Sequence, residues 1–159
     1  MHIPYPKIHR LGKEEVEGIL DGWCFIEEKI DRANTSIWIE DGKVKCGSRR
    51  RELTGGFRGF YDFVTQHTPI KKYLEKNPTH RLYGEWLVKH TIQYKEDAYN
   101  KFYLFDIFDI QDEEVKVLDR AETQKVGKEL GLDMPIIFDY IQNPTEEVIT
   151  AYENPPKTK

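Results

Sequence analysis

The sequence predicts an α+β domain, because strand patterns and helix patterns are mixed along its 159 residues. The turn pair Asp41-Gly42 separates two β-prone runs and predicts a hairpin, which is an antiparallel strand pair. The aromatic-rich run Lys101–Ile110 predicts a long strand that is covered on both faces. Asp119–Leu130 predicts a helix with a capping aspartate and with Gly131 as its stop. The length fits one domain, residues 1–159, with a single core.

The composition excludes several classes of protein. A net charge of -4 gives no overall attraction to polyanions, so a nucleic acid would have to bind a local patch. Cys24 and Cys46 are too few for a disulfide framework and lack metal-site spacing. They indicate a reducing compartment, so we expect a cytoplasmic protein, or one of the host cytoplasm if the source is a virus. The sequence contains no signal peptide and no bilayer-spanning run, which predicts no membrane partner.

The N-terminal quarter leads to a lysine at the end of a strand. Two prolines hold Met1–Ile8 extended, and Lys13–Leu20 predicts a short helix. The apolar run Trp23–Ile26 then predicts a buried strand. The stretch Glu27–Asn34 follows this strand, so the amine of Lys29 would be aimed by a rigid element. The alternative is a solvated lysine on an edge strand.

A basic run follows the hairpin. Guanidinium groups bind phosphate bidentately, so consecutive arginines after a Gly-Ser pair predict a phosphate patch. The alternative is a solvated hairpin end. The run consists of Lys43, Lys45, Arg49, Arg50 and Arg51.

Two carboxylates occur inside predicted strands. Phe57–Gln66 and Ile70–Glu75 predict helices, and His80–Val88 predicts a strand with Glu85 in its middle. A glutamate buried without a partner costs several kcal/mol, so Glu85 needs an arginine, a metal ion or a ligand hydroxyl. Asp106 poses the same question within the longest predicted strand.

The C-terminal part predicts one more strand and one more helix. Met134–Tyr140 is the strand, and Asn143–Ile149 opens like a helix with a proline near its first turn. Residues 154–159 predict a loop.

Four short motifs occur in an order that resembles the covalent nucleotidyltransferases: the ATP-dependent RNA and DNA ligases and the mRNA capping guanylyltransferases. The closest resemblance is to the RNA ligases, in which Glu-Lys-x-Asp-Gly-x-Asn is typical. The matched part extends from Trp23 to Ile110. The motifs are Glu28-Lys29-Ile30-Asp31 with Asn34, the arginines at 49 to 51, Tyr83-Gly84-Glu85, and Phe102-Tyr103-Leu104-Phe105-Asp106-Ile107.

The resemblance implies a fold and a reaction. The fold would have largely antiparallel sheets with packed helices, as in a ligase adenylation domain. The reaction would be ATP-dependent joining of RNA strands, as in RNA repair. A lysine attacks the α-phosphate of ATP to form lysyl-AMP, and the AMP passes to an RNA 5′-phosphate end. An RNA 3′-hydroxyl end then displaces it. The cofactor would be Mg²⁺, with Mn²⁺ as the alternative.

The resemblance also assigns roles to residues. Lys29 matches the nucleophile, and Glu85 matches the residue that binds the ribose hydroxyl or a metal ion. Phe105 matches the ring stacked on adenine, with Tyr103 and Phe102 as alternatives. Further nucleotide-binding positions are Glu28 through its backbone, Ile30, Asp31, Asn34 as the asparagine required for sealing, and Arg49 or Arg50.

Two departures leave alternatives open. Arg32 stands where the family usually has a glycine, and neither a Glu-Gly strand nor a strand with paired lysines is present. The resemblance therefore implies a catalytic domain that is incomplete at its C-terminus and that a missing C-terminal segment or a partner chain would complete. The alternatives within the class are a DNA ligase and a capping guanylyltransferase. The alternative outside it is a non-catalytic module that holds a nucleotide or an RNA end.

Overall fold

The computed structural model describes residues 1–11, 13–30, 33–89 and 93–152. These residues form eight strands and four helices, with 3₁₀ turns at Glu14–Val16 and Glu96–Ala98. The strands are β1 Trp23–Glu27, β2 Ala33–Glu40, β3 Lys43–Ser48, β4 Glu52–Leu53, β5 His80–Leu87, β6 Lys101–Gln111, β7 Glu114–Val117 and β8 Ile137–Gln142. The helices are α1 Phe60–Gln66, α2 Thr68–Lys76, α3 Arg120–Leu130 and α4 Glu146–Thr150.

Six strands form one sheet in the order β4-β3-β2-β5-β6-β7, and every neighbouring pair is antiparallel. The predicted hairpin is confirmed: β2 and β3 meet at Asp41 and Gly42, whose φ angles are 52° and 73°. A left-handed conformation at both central residues matches the twist of the flanking strands. The α+β prediction with a largely antiparallel sheet is therefore correct.

Helices cover one face of this sheet and form the main core there. Ile37, Leu82 and Ile107 are fully buried and pack in one cluster with side chains of α1, α2 and α3. They are cross-strand neighbours, so they share one face of the sheet. Residues next to them in sequence, such as Trp38 and Tyr83, therefore face the opposite side. That opposite side carries the site described below.

The two strands β1 and β8 pair separately as a small antiparallel sheet. The prediction of a buried strand at Trp23–Ile26 is wrong at alternate positions, since Trp23 is 59% exposed and Phe25 is 45% exposed. A strand alternates its side chains, and only the face with Ile26 is covered. Phe25 instead stacks on Tyr140, with ring centroids 4.3 Å apart.

The predicted helix at Lys13–Leu20 is also wrong beyond the single 3₁₀ turn Glu14–Val16. Gly18 has a φ of 79°, which ends any right-handed helix. Positive φ angles at Phe57 and Arg58 likewise delay α1, which begins at Phe60.

The C-terminal elements follow their local signals closely. The helix α3 begins with a capping box between Asp119 and Glu122 and ends at Gly131, whose φ is 66°. The strand β8 and the helix α4 each begin three residues later than expected. The predicted loop at 154–159 lies outside the described residues. Within the described part of the chain, every helix is too short or too polar to cross a bilayer.

Candidate functional site

A cavity of about 530 Å³ opens on the sheet face opposite the helices. It lies between the N-terminal segment, the end of β1, the start of β2, and the middle of β5 and β6. Its size is within the range of about 300–1,000 Å³ that is typical of small-molecule sites. Seven of the nine residues predicted from the sequence line it: Glu28, Lys29, Ile30, Asn34, Arg49, Glu85 and Phe105.

The other two predicted residues are Asp31 and Arg50. Asp31, like Arg32, lies outside the described residues. Arg50 is exposed and does not line the cavity, and its backbone N–H donates to Ser48 Oγ at 3.4 Å. The sequence left Arg49 and Arg50 as alternatives, and the geometry favours Arg49.

Lys29 follows the end of β1 and is held between two buried neighbours. Glu28 and Ile30 are each 4% exposed, whereas Lys29 is exposed and lines the cavity. The Glu28 N–H donates to the Ile136 carbonyl at 2.7 Å, and Ile30 packs with Leu87 and Tyr103. The backbone on both sides of Lys29 is thus anchored, so its side chain projects from a fixed point.

A β-bulge brings two consecutive residues of β6 to the cavity. Tyr83 pairs with Asp106, but Gly84 pairs with Leu104, so Phe105 has no partner on β5. Consecutive strand residues normally point to opposite faces, and a bulge changes the direction of one of them. Both Phe105 and Asp106 consequently line the cavity.

A glycine and an arginine lie against the backbone of the bulge. A Cβ at Gly84 would lie 2.4 Å from the carbonyl oxygen of Tyr103 and 2.6 Å from the Phe102 ring. Arg120, at the start of α3, donates from Nη1 to the Phe105 carbonyl at 3.4 Å. The backbone at this point is therefore packed too closely for any larger residue at position 84.

Among the three candidate stacking rings, only Phe105 lines the cavity. Tyr103 is 3% exposed and its hydroxyl donates to the Ala98 carbonyl at 2.9 Å. Phe102 is 1% exposed and belongs to the core beneath the helices. A base that entered the cavity would meet Phe105.

Several lining residues were not assigned from the sequence. They are Tyr5, Lys7 and Ile8 of the N-terminal segment, Glu27, Asp106 and Pro135. Asp106 carried a signal, since a carboxylate inside an apolar strand needs a partner. The N-terminal segment carried none, because an extended, proline-containing run has no periodicity that indicates what it covers.

Three titratable side chains and one guanidinium group form a cluster at the cavity wall. Tyr5 donates its hydroxyl proton to the Asp106 carboxylate, and Arg120 pairs with Glu27. Burial raises the pKa of Glu27 and the pKa of Asp106, and the charge of Arg120 partly offsets both increases. Burial and the hydrogen bond to Asp106 raise the pKa of Tyr5 as well.

The lining carries charges of both signs. The cations are Lys7, Lys29 and Arg49, and the carboxylates are Glu27, Glu28, Glu85 and Asp106. Within the described ranges, no group of three or more His, Cys, Asp or Glu side chains is placed to hold a metal ion.

The fold is shared with solved structures of RNA and DNA ligases. The sequence model of the RNA ligase family matches residues 23–157, which is most of the chain, and this protein therefore belongs to the RNA ligase family. A comparison with curated proteins found no significant match.

Solved structures share the fold at low sequence identity. An RNA ligase from Naegleria gruberi with PPi is 22% identical, with a TM-score of 0.69, and the match covers 96% of this chain and 50% of that one. A putative ATP-dependent DNA ligase from Aquifex aeolicus is 20% identical, with a TM-score of 0.63, covering 94% of this chain and 41% of the other. The chain thus spans half or less of the length of these structures.

A variant of the Naegleria gruberi RNA ligase with ATP and Mn is also similar. It is 20% identical, with a TM-score of 0.62, and the match covers 82% of this chain and 41% of that one. At this level of identity these structures support the fold alone.

Proposed function

We propose that this chain is the nucleotide-binding part of an ATP-dependent RNA ligase in which Lys29 forms lysyl-AMP. The observation that carries the proposal is that Lys29, Glu85 and Phe105 line one cavity. They come from three separate segments of the chain, and a nucleophile, a polar anchor and an aromatic ring are what nucleotidyl transfer to a lysine needs.

In the first step, Lys29 Nζ attacks the α-phosphorus of ATP. A P–N bond forms, the bond from the α-phosphorus to the oxygen bridging to the β-phosphate breaks, and pyrophosphate leaves. An amine attacks only in its neutral form, so Lys29 must lose a proton before it reacts. The backbone on either side of Lys29 is anchored, which supports the proposal because the amine then loses less conformational freedom when it approaches a phosphate in the cavity.

The remaining cavity residues suit the parts of a nucleotide. Phe105 provides a ring for the base, and Arg49 provides a guanidinium for phosphate. Glu85 and Asn34, on paired strands, provide polar atoms for the ribose or the metal ion. Glu28 presents backbone groups, and Ile30 forms part of the apolar floor.

A divalent cation fits this donor set. We expect Mg²⁺, with Mn²⁺ as the alternative, to be held by Glu85 and the phosphate oxygens of ATP, where it would supply positive charge to the phosphates. The solved structure of similar fold that contains ATP and Mn supports ATP and a divalent metal ion as the ligands.

The later steps use RNA ends. A 5′-phosphate oxygen of one RNA strand attacks the phosphorus of the AMP and releases Lys29. The 3′-hydroxyl of another strand then attacks that 5′-phosphate, and AMP leaves. Because the chain spans half or less of its structural relatives, we assign these steps to the complete enzyme, with a further segment or a partner chain.

The two free thiols support a cytoplasmic setting.

A second candidate function is a binding module that holds ATP or an RNA end without forming an adduct. Arg32, which stands where the RNA ligases usually have a glycine, favours it. A glycine at that position permits a backbone conformation or a close approach to the nucleotide that an arginine does not.

An intact-mass measurement after incubation with Mg²⁺ and either ATP or GTP separates these functions. An AMP adduct that Lys29→Ala abolishes supports the ligase function, and a GMP adduct indicates a capping enzyme instead. Lys43→Ala is the matched control, because Lys43 is an exposed lysine on the hairpin that does not line the cavity. If no adduct forms but ATP raises the melting temperature, the binding module is correct.

A further inference from the structure

The N-terminal strap, which we define as residues 1–8, lies across the sheet face that the helices leave open. His2 Nε2 lies 2.7 Å from the Ser48 carbonyl oxygen, and the Tyr83 hydroxyl donates to the Ile3 carbonyl at 2.8 Å. A Cβ at Gly47 would come within 2.6 Å of the His2 ring, so Gly47 leaves the space that His2 fills. The strap is therefore packed onto β2, β3 and β5 rather than loosely attached.

Within the strap, Tyr5 contacts the two residues that the β-bulge brings to the cavity. Its ring meets the Phe105 ring edge-on, with centroids 4.9 Å apart and an interplanar angle of 80°. Its hydroxyl donates to the Asp106 carboxylate. On its other side it packs against Tyr83 at 5.4 Å and Phe108 at 5.6 Å. Tyr5 is thus held by the sheet and in turn contacts the candidate stacking ring.

The strap lies outside the part of the chain that the RNA ligase family model describes, which begins at residue 23. It nevertheless contributes Tyr5, Lys7 and Ile8 to the cavity lining. This wall of the cavity therefore lies outside the residues that the family model matches.

We propose that this strap is a wall of the nucleotide site and that Tyr5 is a positioning residue, which holds Phe105 in the orientation that stacks on the base. An edge-to-face contact fixes the tilt of a ring, and a ring that is already oriented loses less freedom when a base stacks on it. The hydrogen bond to Asp106 anchors the Tyr5 hydroxyl group at the bulge. This inference rests on the proposed function, since it needs a nucleotide in the cavity.

The test measures binding equilibria in a Lys29→Ala background, where no adduct can form. We expect Tyr5→Leu, which removes the ring, to raise the Kd for Mg²⁺-ATP by about two- to tenfold. The Kd for Mg²⁺-tripolyphosphate, which has no base, should stay unchanged. Tyr5→Phe keeps the ring edge and should restore most of the affinity for ATP.

Two further variants make the test specific. Tyr140→Leu is the matched control, since Tyr140 is 49% exposed on the small sheet and does not line the cavity. In a Phe105→Leu background, Tyr5→Leu should have no further effect on ATP affinity, because Tyr5 acts through that ring. If Tyr5→Leu does not fold, as judged by its melting curve, Tyr5→Met replaces it, because it keeps apolar volume without a ring.

The outcomes separate this inference from the proposed function. A folded Tyr5→Leu protein with the wild-type Kd for ATP, or with equal losses for ATP and tripolyphosphate, overturns the positioning role. An AMP adduct on wild type together with that result leaves the proposed function intact. No adduct, but Tyr5-dependent binding of ATP, refutes lysyl-AMP formation and supports the positioning role. Wild-type protein that does not bind ATP overturns both.

Discussion

Asn34 on β2 and Glu85 on β5 are direct cross-strand partners, and both line the cavity beside Lys29. Side chains of directly opposed residues lie about 4.5–5.5 Å apart at Cβ, so the sheet presents an amide and a carboxylate to one ligand. A slip of β2 by one residue against β5 would turn Asn34 toward the helices, while Glu85 would stay at the cavity. The composition of the site is thus fixed by the register of this strand pair.

The role of Glu85 can be tested by removing its charge while keeping its shape. If Glu85 holds the metal ion, Glu85→Gln should raise the Mg²⁺ concentration needed for ATP binding by on the order of tenfold. If Glu85 instead binds the ribose hydroxyl, the amide still accepts a hydrogen bond and the Mg²⁺ dependence should not move. Titration of Mg²⁺ at fixed ATP, with Glu114→Gln on the exposed strand β7 as the control, decides between the two roles.

The glycine at the bulge makes a prediction about stability. Gly84→Ala would place a Cβ against the Tyr103 carbonyl and the Phe102 ring, so we expect it to lower the free energy of unfolding by about 1–3 kcal/mol. Gly55→Ala is the matched control, because nothing lies within 4 Å of the added carbon. Urea unfolding of the two variants measures the difference. Equal stabilities would show that the backbone around Phe105 can relax, contrary to the close packing described above.

Local signals explain which parts of the fold the sequence could predict. The hairpin turn, the capping aspartate of α3 and the aromatic run of β6 are each encoded within a few residues, and each was predicted correctly. The exposure of Trp23 and Phe25 depends instead on what covers the strand, which a pattern of apolar residues does not record.

The candidate site shows the same difference between residues that local motifs predict and residues that only the tertiary structure brings together. Lys29, Glu85 and Phe105 were found because their motifs resemble a known family, and the structure places them around one cavity. The contribution of the strap could not be predicted, because Tyr5 meets Asp106 across 101 residues of sequence. The bulge that brings Phe105 and Asp106 to the same cavity is likewise set by pairing between strands and not by either strand alone.

The buried carboxylate of Asp106 predicts a pH dependence of stability. Burial raises its pKa above the ordinary value of 3.8, whereas the Tyr5 hydroxyl and the Arg120 charge oppose the increase. A carboxyl whose pKa is raised in the folded state stabilises the fold below its unfolded pKa, and this contribution is lost as the pH rises through the folded pKa. Glu27, whose pKa burial also raises, contributes in the same direction.

The measurement is the free energy of unfolding of wild type and of Asp106→Asn between pH 4 and pH 8. The asparagine cannot ionise, so the stability of wild type relative to Asp106→Asn should fall as the pH rises across this range. Because Glu27 is present in both proteins, its effect cancels to first order in the difference. A difference that is constant with pH would mean that Asp106 titrates alike in the folded and unfolded states.

The two neighbouring arginines provide a closely matched pair of variants for the phosphate contact. Arg49 lines the cavity, whereas Arg50 does not, so Arg49→Ala and Arg50→Ala remove the same charge at adjacent positions. A guanidinium bound to phosphate contributes about 1.5–3 kcal/mol, so Arg49→Ala should weaken the binding of Mg²⁺-tripolyphosphate by about ten- to a hundredfold. Arg50→Ala should change it by less than about twofold at physiological salt, because an exposed charge beyond the cavity acts only through a screened field. Calorimetric titration of both variants measures the contrast. If the two variants lose affinity equally, the arginines act as a diffuse basic patch for polyanions, and Arg49 is then not a specific ligand of the nucleotide phosphates.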